Sequence, residues 1–163
     1  MAVAPWRAGN RITAARLDAM QARWSSWTPT WSTTTGSNIP TYGDATIDCS
    51  YCQTGDLVVA RFEVVFGSTT TFGSTDNWTF SLPVTASATL TDVGEAALQQ
   101  SNAKRVYARC RLNSTSVFMF EISTGTPDAV ALTAGQQGIA DASAPWTWAS
   151  TNSIRATLSY QAA

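Results

Sequence analysis

The longest regular stretch of the chain runs from Leu57 to Phe66 and places Val58, Ala60, Phe62, Val64 and Phe66 on one face, with Leu57, Val59, Arg61, Glu63 and Val65 on the other. A period of two predicts a strand with one face in a core. The second face is apolar at both ends with Arg61 and Glu63 between, which fits a rim, a covered sheet or a subunit interface with a paired charge. The same period recurs in both directions along the chain. Ile47, Cys49 and Tyr51 oppose Thr46, Asp48 and Ser50, while Trp78, Phe80 and Leu82 oppose Thr79 and Ser81. Val106, Ala108, Cys110 and Leu112 oppose Arg105, Tyr107, Arg109 and Arg111. Phe118, Phe120 and Ile122 then oppose Val117, Met119 and Glu121, so Asn113-Ser114-Thr115-Ser116 reads as a hairpin turn. The last stretch alternates Ile154, Ala156, Leu158 and Tyr160 with Arg155, Thr157, Ser159 and Gln161. Short alternating segments punctuated by Gly, Pro, Asn and Thr predict a mainly β chain, with an antiparallel β-sandwich or jelly-roll-like domain over residues 27–163.

Only the beginning of the chain carries a helical pattern. Thr13 is a capping residue, and Ala14, Leu17, Met20 and Trp24 follow a helical stripe, which predicts one short helix from about Thr13 to Trp24. About three turns are marginal alone in water, so the stripe needs something to pack against. That partner can be another chain. Exposed loops are expected at Ser32 to Asn38, Gly67 to Asp76 and Thr124 to Ala144.

Composition narrows the function more than it narrows the fold. The 163 residues hold no histidine, which removes the commonest general base near neutral pH and the commonest metal ligand. A net charge of −1 with 13% charged residues sets up no field that would draw nucleic acid or anionic lipid. No apolar run is long enough to span a bilayer, and Met1 to Trp6 lack the charged-then-apolar order of a secretory signal. A soluble, unsecreted protein without nucleic acid, membrane insertion, metal or cofactor is the expectation.

The candidate chemistry is sparse. Cys49-x-x-Cys52 lies in an alternating strand with its two thiols on opposite faces, so separate thiols are the plainer reading; were a bridge to form, Cys49 to Cys110 fits the alternation better. Ser101-x-x-Lys104 has the spacing of a Ser-Lys nucleophile, yet Lys104 is the only lysine of the chain, so the Lys-Thr-Gly element of that enzyme class is missing. Nothing in the spacing of Asp44, Asp48, Asp56, Glu63, Asp76, Asp92 and Glu95 demands a glycosidase pair. No enzyme is expected. Aromatic platforms stack on sugars, and although core packing is the default for a tryptophan, Trp146 and Trp148 form a same-face pair after a long loop and Pro145. Together with Tyr107 and Arg109 on the Arg-rich strand face, they are the candidate ligand contacts.

At this point the order of segments becomes informative. Residues 4–21, APWRAGNRITAARLDAMQ, resemble the opening of small tail and minor structural proteins encoded by phages of actinobacteria. WTPTW (Trp27 to Trp31), GDLVVARFEVVFGSTTT (Gly55 to Thr71), WTFSLP (Trp78 to Pro83) and APWTWASTNSIRATLSYQA (Ala144 to Ala162) resemble a β domain recurrent in phage tail fibre and virion proteins. The resemblance implies a non-enzymatic virion structural protein of tail or fibre type, made in the bacterial host cytoplasm and carried on the phage particle. It implies a homo-oligomer, with a trimer as the expected form, in which residues 1–26 are an N-terminal attachment segment docked through Trp6, Ile12, Leu17, Met20 and Trp24 to other virion proteins or to sister chains, and the β domain is displayed for adhesion or assembly, with a host surface glycan as a further partner. A capsid-surface fibre or decoration protein and a stand-alone carbohydrate-binding module are the alternatives.

Overall fold

The computed structural model describes residues 21–122 and 138–163, with Gly9, Arg11, Thr13 and Ala14 as isolated positions. Eleven strands account for its regular structure: β1 (Ser25–Ser26), β2 (Trp31–Thr33), β3 (Thr46–Ile47), β4 (Ser50–Thr54), β5 (Leu57–Val65), β6 (Trp78–Ser81), β7 (Gly94–Gln100), β8 (Lys104–Leu112), β9 (Val117–Ile122), β10 (Gly138–Ile139) and β11 (Ser153–Gln161). The helix expected at about Thr13 to Trp24 lies largely outside the described residues, as do Trp6, Ile12, Leu17 and Met20. Its expected C-terminal end is not helical: Gln21 sits in a bend, Ala22 to Trp24 are irregular, and the chain passes directly into β1.

All strand pairs are antiparallel and belong to one hydrogen-bonded sheet, in the order β1, β4, β5, β11, β7, β8, β9, β6, β2, with β3 also on β5 and β10 also on β9. The first two strands in sequence thus occupy opposite ends of the order. In a flat sheet, nine neighbouring strands would hold the outermost pair about 38 Å apart. The stretch from Ser26 to Trp31 reaches at most about 18 Å. The sheet therefore curls into a half-barrel, and Trp27 to Thr30 form the seam across its mouth. Each end of the seam is pinned: Trp27 N–H donates to Cys49 O at 2.9 Å, and Ser81 N–H donates to Thr30 O at 3.0 Å. Thr30 N–H returns a bond to Ser81 Oγ at 2.8 Å, and the Tyr42 hydroxyl donates to Pro29 O at 3.1 Å.

Curling gathers the inner faces into one core, a sandwich-like arrangement of facing walls. Val58, Ala60, Phe62, Val64 and Phe66 are all buried, as are Ala108, Cys110, Leu112, Phe118, Phe120, Ile154, Leu158 and Tyr160. Trp31 lies stacked against Phe66 and Phe80 at centroid distances of 5.4 and 5.7 Å and meets Trp78 edge-on at 4.8 Å. The seam tryptophan, Trp27, reaches in to Phe62 and Phe118 at 6.2 and 6.3 Å. Aromatic pairs at these separations add to the burial of their area.

Three segments depart from the sequence reading. Gly138–Ile139 forms β10 and is buried, within the stretch expected as an exposed loop at Thr124 to Ala144, of which residues 124–137 lie outside the described residues. Gly94–Gln100, to which no strand was assigned, forms β7 and joins β11 to β8. Ser32 and Thr33, expected in a loop, belong to β2. The Cys49 to Cys110 bridge does not form. Cys49 directly precedes β4, which lies four strand spacings from the β8 that carries Cys110 in the sheet order, and Cys49, Cys52 and Cys110 are all free. Cys49 instead faces the peptide of Glu63, accepting from its N–H at 3.4 Å, and burial pushes its thiol up to about 11.

Where β7 meets β11 the backbones approach closely, and a methyl group at Gly94 would collide with the Thr157 carbonyl. Gly94→Ala is expected to cost about 1–3 kcal/mol in chemical denaturation, as overpacking does. Trp27→Ala removes the ring that seats the seam and should cost about 2–4 kcal/mol, read as a lower denaturation midpoint.

Candidate functional site

Residues that alternate away from the core form the outer face, and the register turns them into rows. One row reads Glu63, Arg155, Ala97, Tyr107 across β5, β11, β7 and β8. The next reads Arg61, Thr157, Glu95, Arg109 and continues to Glu121 on β9. Charged side chains therefore stand on β5 and β11 in the first row and on β5, β7 and β8 in the second, with the short Ala97 and Thr157 as the low positions among them. The result is a shallow depression of about 370 Å³, lined by Arg61, Glu63, Glu95, Ala97, Tyr107, Arg155 and Thr157 and by the peptides beneath.

Its β5 wall is locked by ion pairing. Glu63 receives Arg61 Nη2 on Oε2 at 2.7 Å and Arg155 Nε on Oε1 at 2.8 Å, and Arg61 also reaches Asp48 at 3.1 Å. Hydrogen bonds from Arg61 and then Arg155 hold the Glu63 carboxyl below its ordinary value, outweighing its partial desolvation. A carboxylate clamped by two guanidiniums is a poor proton carrier, so this wall orients and hydrogen-bonds. The opposite wall is freer. Glu95 has no ion-pair or hydrogen-bond partner among the described residues, and Tyr107 is 70% exposed.

The sequence-predicted ligand residues separate. Tyr107 stands on the rim of the depression, whereas Arg109 turns to the buried Glu121, donating from Nη2 to Oε1 at 2.7 Å; that bond raises the Arg109 pKa. Trp146 and Trp148 are not a surface platform: they are 8% and 3% exposed. Trp148 packs against Phe66 and Trp78 at 5.4 and 5.3 Å and donates from Nε1 to Ala144 O at 3.1 Å, while Trp146 leans on Trp148 at 5.4 Å. Their same-face spacing closes one end of the aromatic core. Of the docking residues, Trp24 alone is described, and it is 60% exposed.

Sequence reasoning missed Arg155, Thr157, Ala97 and Glu95 as neighbours of Tyr107. The alternation of 153–161 carried a signal for the first two. Ala97 and Glu95 lie on the strand that was not recognised. Among the described residues, no group of three or more Cys, Asp or Glu is placed to hold a metal ion, and no helix is long and apolar enough to cross a membrane. Comparison with protein-family models, curated proteins and solved structures gives no match.

The Glu63 cluster has a pH signature. Its folded pKa is depressed from 4.5, so the stabilisation is present above that value and is lost as pH falls through the lower folded one. Solvent screening of the half-exposed arginines limits it to about 1 kcal/mol. Thermal melts between neutral and strongly acidic pH should show wild type above Glu63→Gln near neutrality, with the gap closing in acid; a pH-independent gap would exclude the ion pairs as its source.

Proposed function

We propose that this chain is a structural protein of a bacteriophage particle, of tail or fibre type, working by adhesion and assembly rather than turnover. In this reading the segment before β1, residues 1–24 with their short helix, docks the chain to neighbouring virion proteins and to sister chains, the expected form being a trimer; Ser25 and Ser26, counted with that segment from the sequence, pair with β4 and belong to the β domain. The jelly-roll-like β domain is displayed. The observation that carries the reading is the division at Trp24 and Ser25. From β1 onward the strands close around their own core, while Trp24, at the end of the docking stripe, is left 60% exposed by the domain it adjoins. An exposed indole at the junction fits a segment whose packing partner belongs to another chain. The ordered resemblance of the segments to virion proteins supports it as well.

A stand-alone carbohydrate-binding module is the second reading, favoured by the exposed Tyr107 beside the outer-face depression. A capsid-surface decoration protein differs from the first reading only in where it attaches, which labelling on purified particles would locate.

Removing residues 1–24 leaves β1 and every later strand in place. The truncated chain is expected to keep a cooperative thermal transition, to drop from a defined oligomer to a monomer in light scattering coupled to size exclusion, and to be missing from assembled particles. Incorporation at the full-length level would sink the docking role.

A further inference from the structure

We infer that the outer-face depression across β5, β11, β7 and β8 is a binding site for a neutral saccharide ring. The inference deepens the display reading and rests on it for its biological setting; its chemistry stands on the site itself. Three observations converge. First, Tyr107, a 70% exposed aromatic residue, lines a recess whose centre is kept low by Ala97 and Thr157. An aromatic face beside a shallow floor suits the apolar C–H face of a pyranose.

Second, the lining is charge-balanced, with two arginines, Arg61 and Arg155, and two glutamates, Glu63 and Glu95. A net anion drawn to the guanidiniums would stand close to the carboxylates of Glu63 and Glu95, whose repulsion offsets the gain. A net cation would meet the reverse conflict. An uncharged ligand that both donates and accepts hydrogen bonds escapes both.

Third, the polar groups are held or free in a useful combination. Arg61 and Arg155 are fixed by Glu63 at 2.7 and 2.8 Å, yet each guanidinium carries five N–H donors and keeps some to offer. The Glu95 carboxylate is uncommitted among the described residues and accepts from hydroxyls. Positioned donors and acceptors around an aromatic face meet the demands of a polyhydroxylated ring. A volume of about 370 Å³ lies near the low end of small-molecule sites, about 300–1,000 Å³, which suits one or two rings. Nothing here requires a bond to be made or broken.

The test is saturation-transfer difference NMR on the full-length chain with glucose, galactose, mannose, rhamnose and N-acetylglucosamine at millimolar concentration, with glucuronate and inorganic phosphate as charged comparators. At least one neutral sugar should receive saturation. Tyr107→Ala should weaken that sugar about tenfold, Tyr107→Phe should retain it, and Thr157→Gln, which fills the recess from the solvent side, should abolish it. Both positions face solvent, so all three variants should melt close to wild type. Three outcomes overturn the inference: no neutral sugar is saturated, binding survives both Tyr107→Ala and Thr157→Gln, or only glucuronate or phosphate binds. Particle incorporation is scored separately on the same variants. Sugar binding by a chain that never joins particles would sink the virion reading alone, and incorporation without sugar binding would sink only the saccharide site.

Discussion

The short bridge from Ser26 to Trp31 ties one edge of the sheet to the other, and the remaining architecture is organised around that constraint. A flat sheet with this strand order cannot be spanned by so few residues. Once the edges are drawn together, the inner face of every long strand is forced towards a common interior. That explains why Trp27 and Trp31, so close in sequence, touch partners on different walls. Trp27 meets Phe62 of β5 and Phe118 of β9, and Trp31 meets Phe80 of β6 and, just beyond the end of β5, Phe66. The bridge also deals with the two sheet edges, which would otherwise be long rows of unpaired peptide groups: the strands at either end of the order are only two and three residues long.

The interior is completed from the far end of the chain. β11 lies between β5 and β7, pairing along nine residues of one and six of the other, so two strands with 28 residues between them are joined only when β11 arrives. Such a fold is rich in non-local contacts and is expected to fold slowly for its size. Gly94 is where the insertion is tightest, because no side chain fits between its Cα and the Thr157 carbonyl.

The same insertion builds the outer face. Arg155 and Thr157 come from β11, Arg61 and Glu63 from β5, Glu95 and Ala97 from β7, and Tyr107 from β8. The core supplies rigidity, and the outward residues inherit it, since each alternates with a buried neighbour. A shallow, charge-balanced recess on a stiff sheet is suited to recognising a ligand without changing it.

Much of this was legible from the residues and some of it was not. Alternation alone determined β5, β8, β9 and β11 and which of their faces meet the core, because a half-buried strand has no other way to sort its side chains. It also placed the turn at Asn113 to Ser116 and the separation of Cys49 from Cys52 onto opposite faces. β7 was beyond it: Glu95, Ala96, Ala97, Leu98, Gln99 and Gln100 are good helix formers, and only the vacant hydrogen-bonding edges of β8 and β11 make them a strand. Nor does alternation distinguish a buried indole from a displayed one, which is why Trp146 and Trp148 could be read as a platform against the default of core packing. The sequence by itself thus determined the long alternating strands β5, β8, β9 and β11 and their inward faces, since these depend on neighbours along the chain. The order of the strands, the closure at Trp27 to Thr30 and the meeting of Arg61, Glu63, Glu95, Tyr107 and Arg155 were decided only by the tertiary structure, since they depend on which hydrogen-bonding edges find each other across the whole chain.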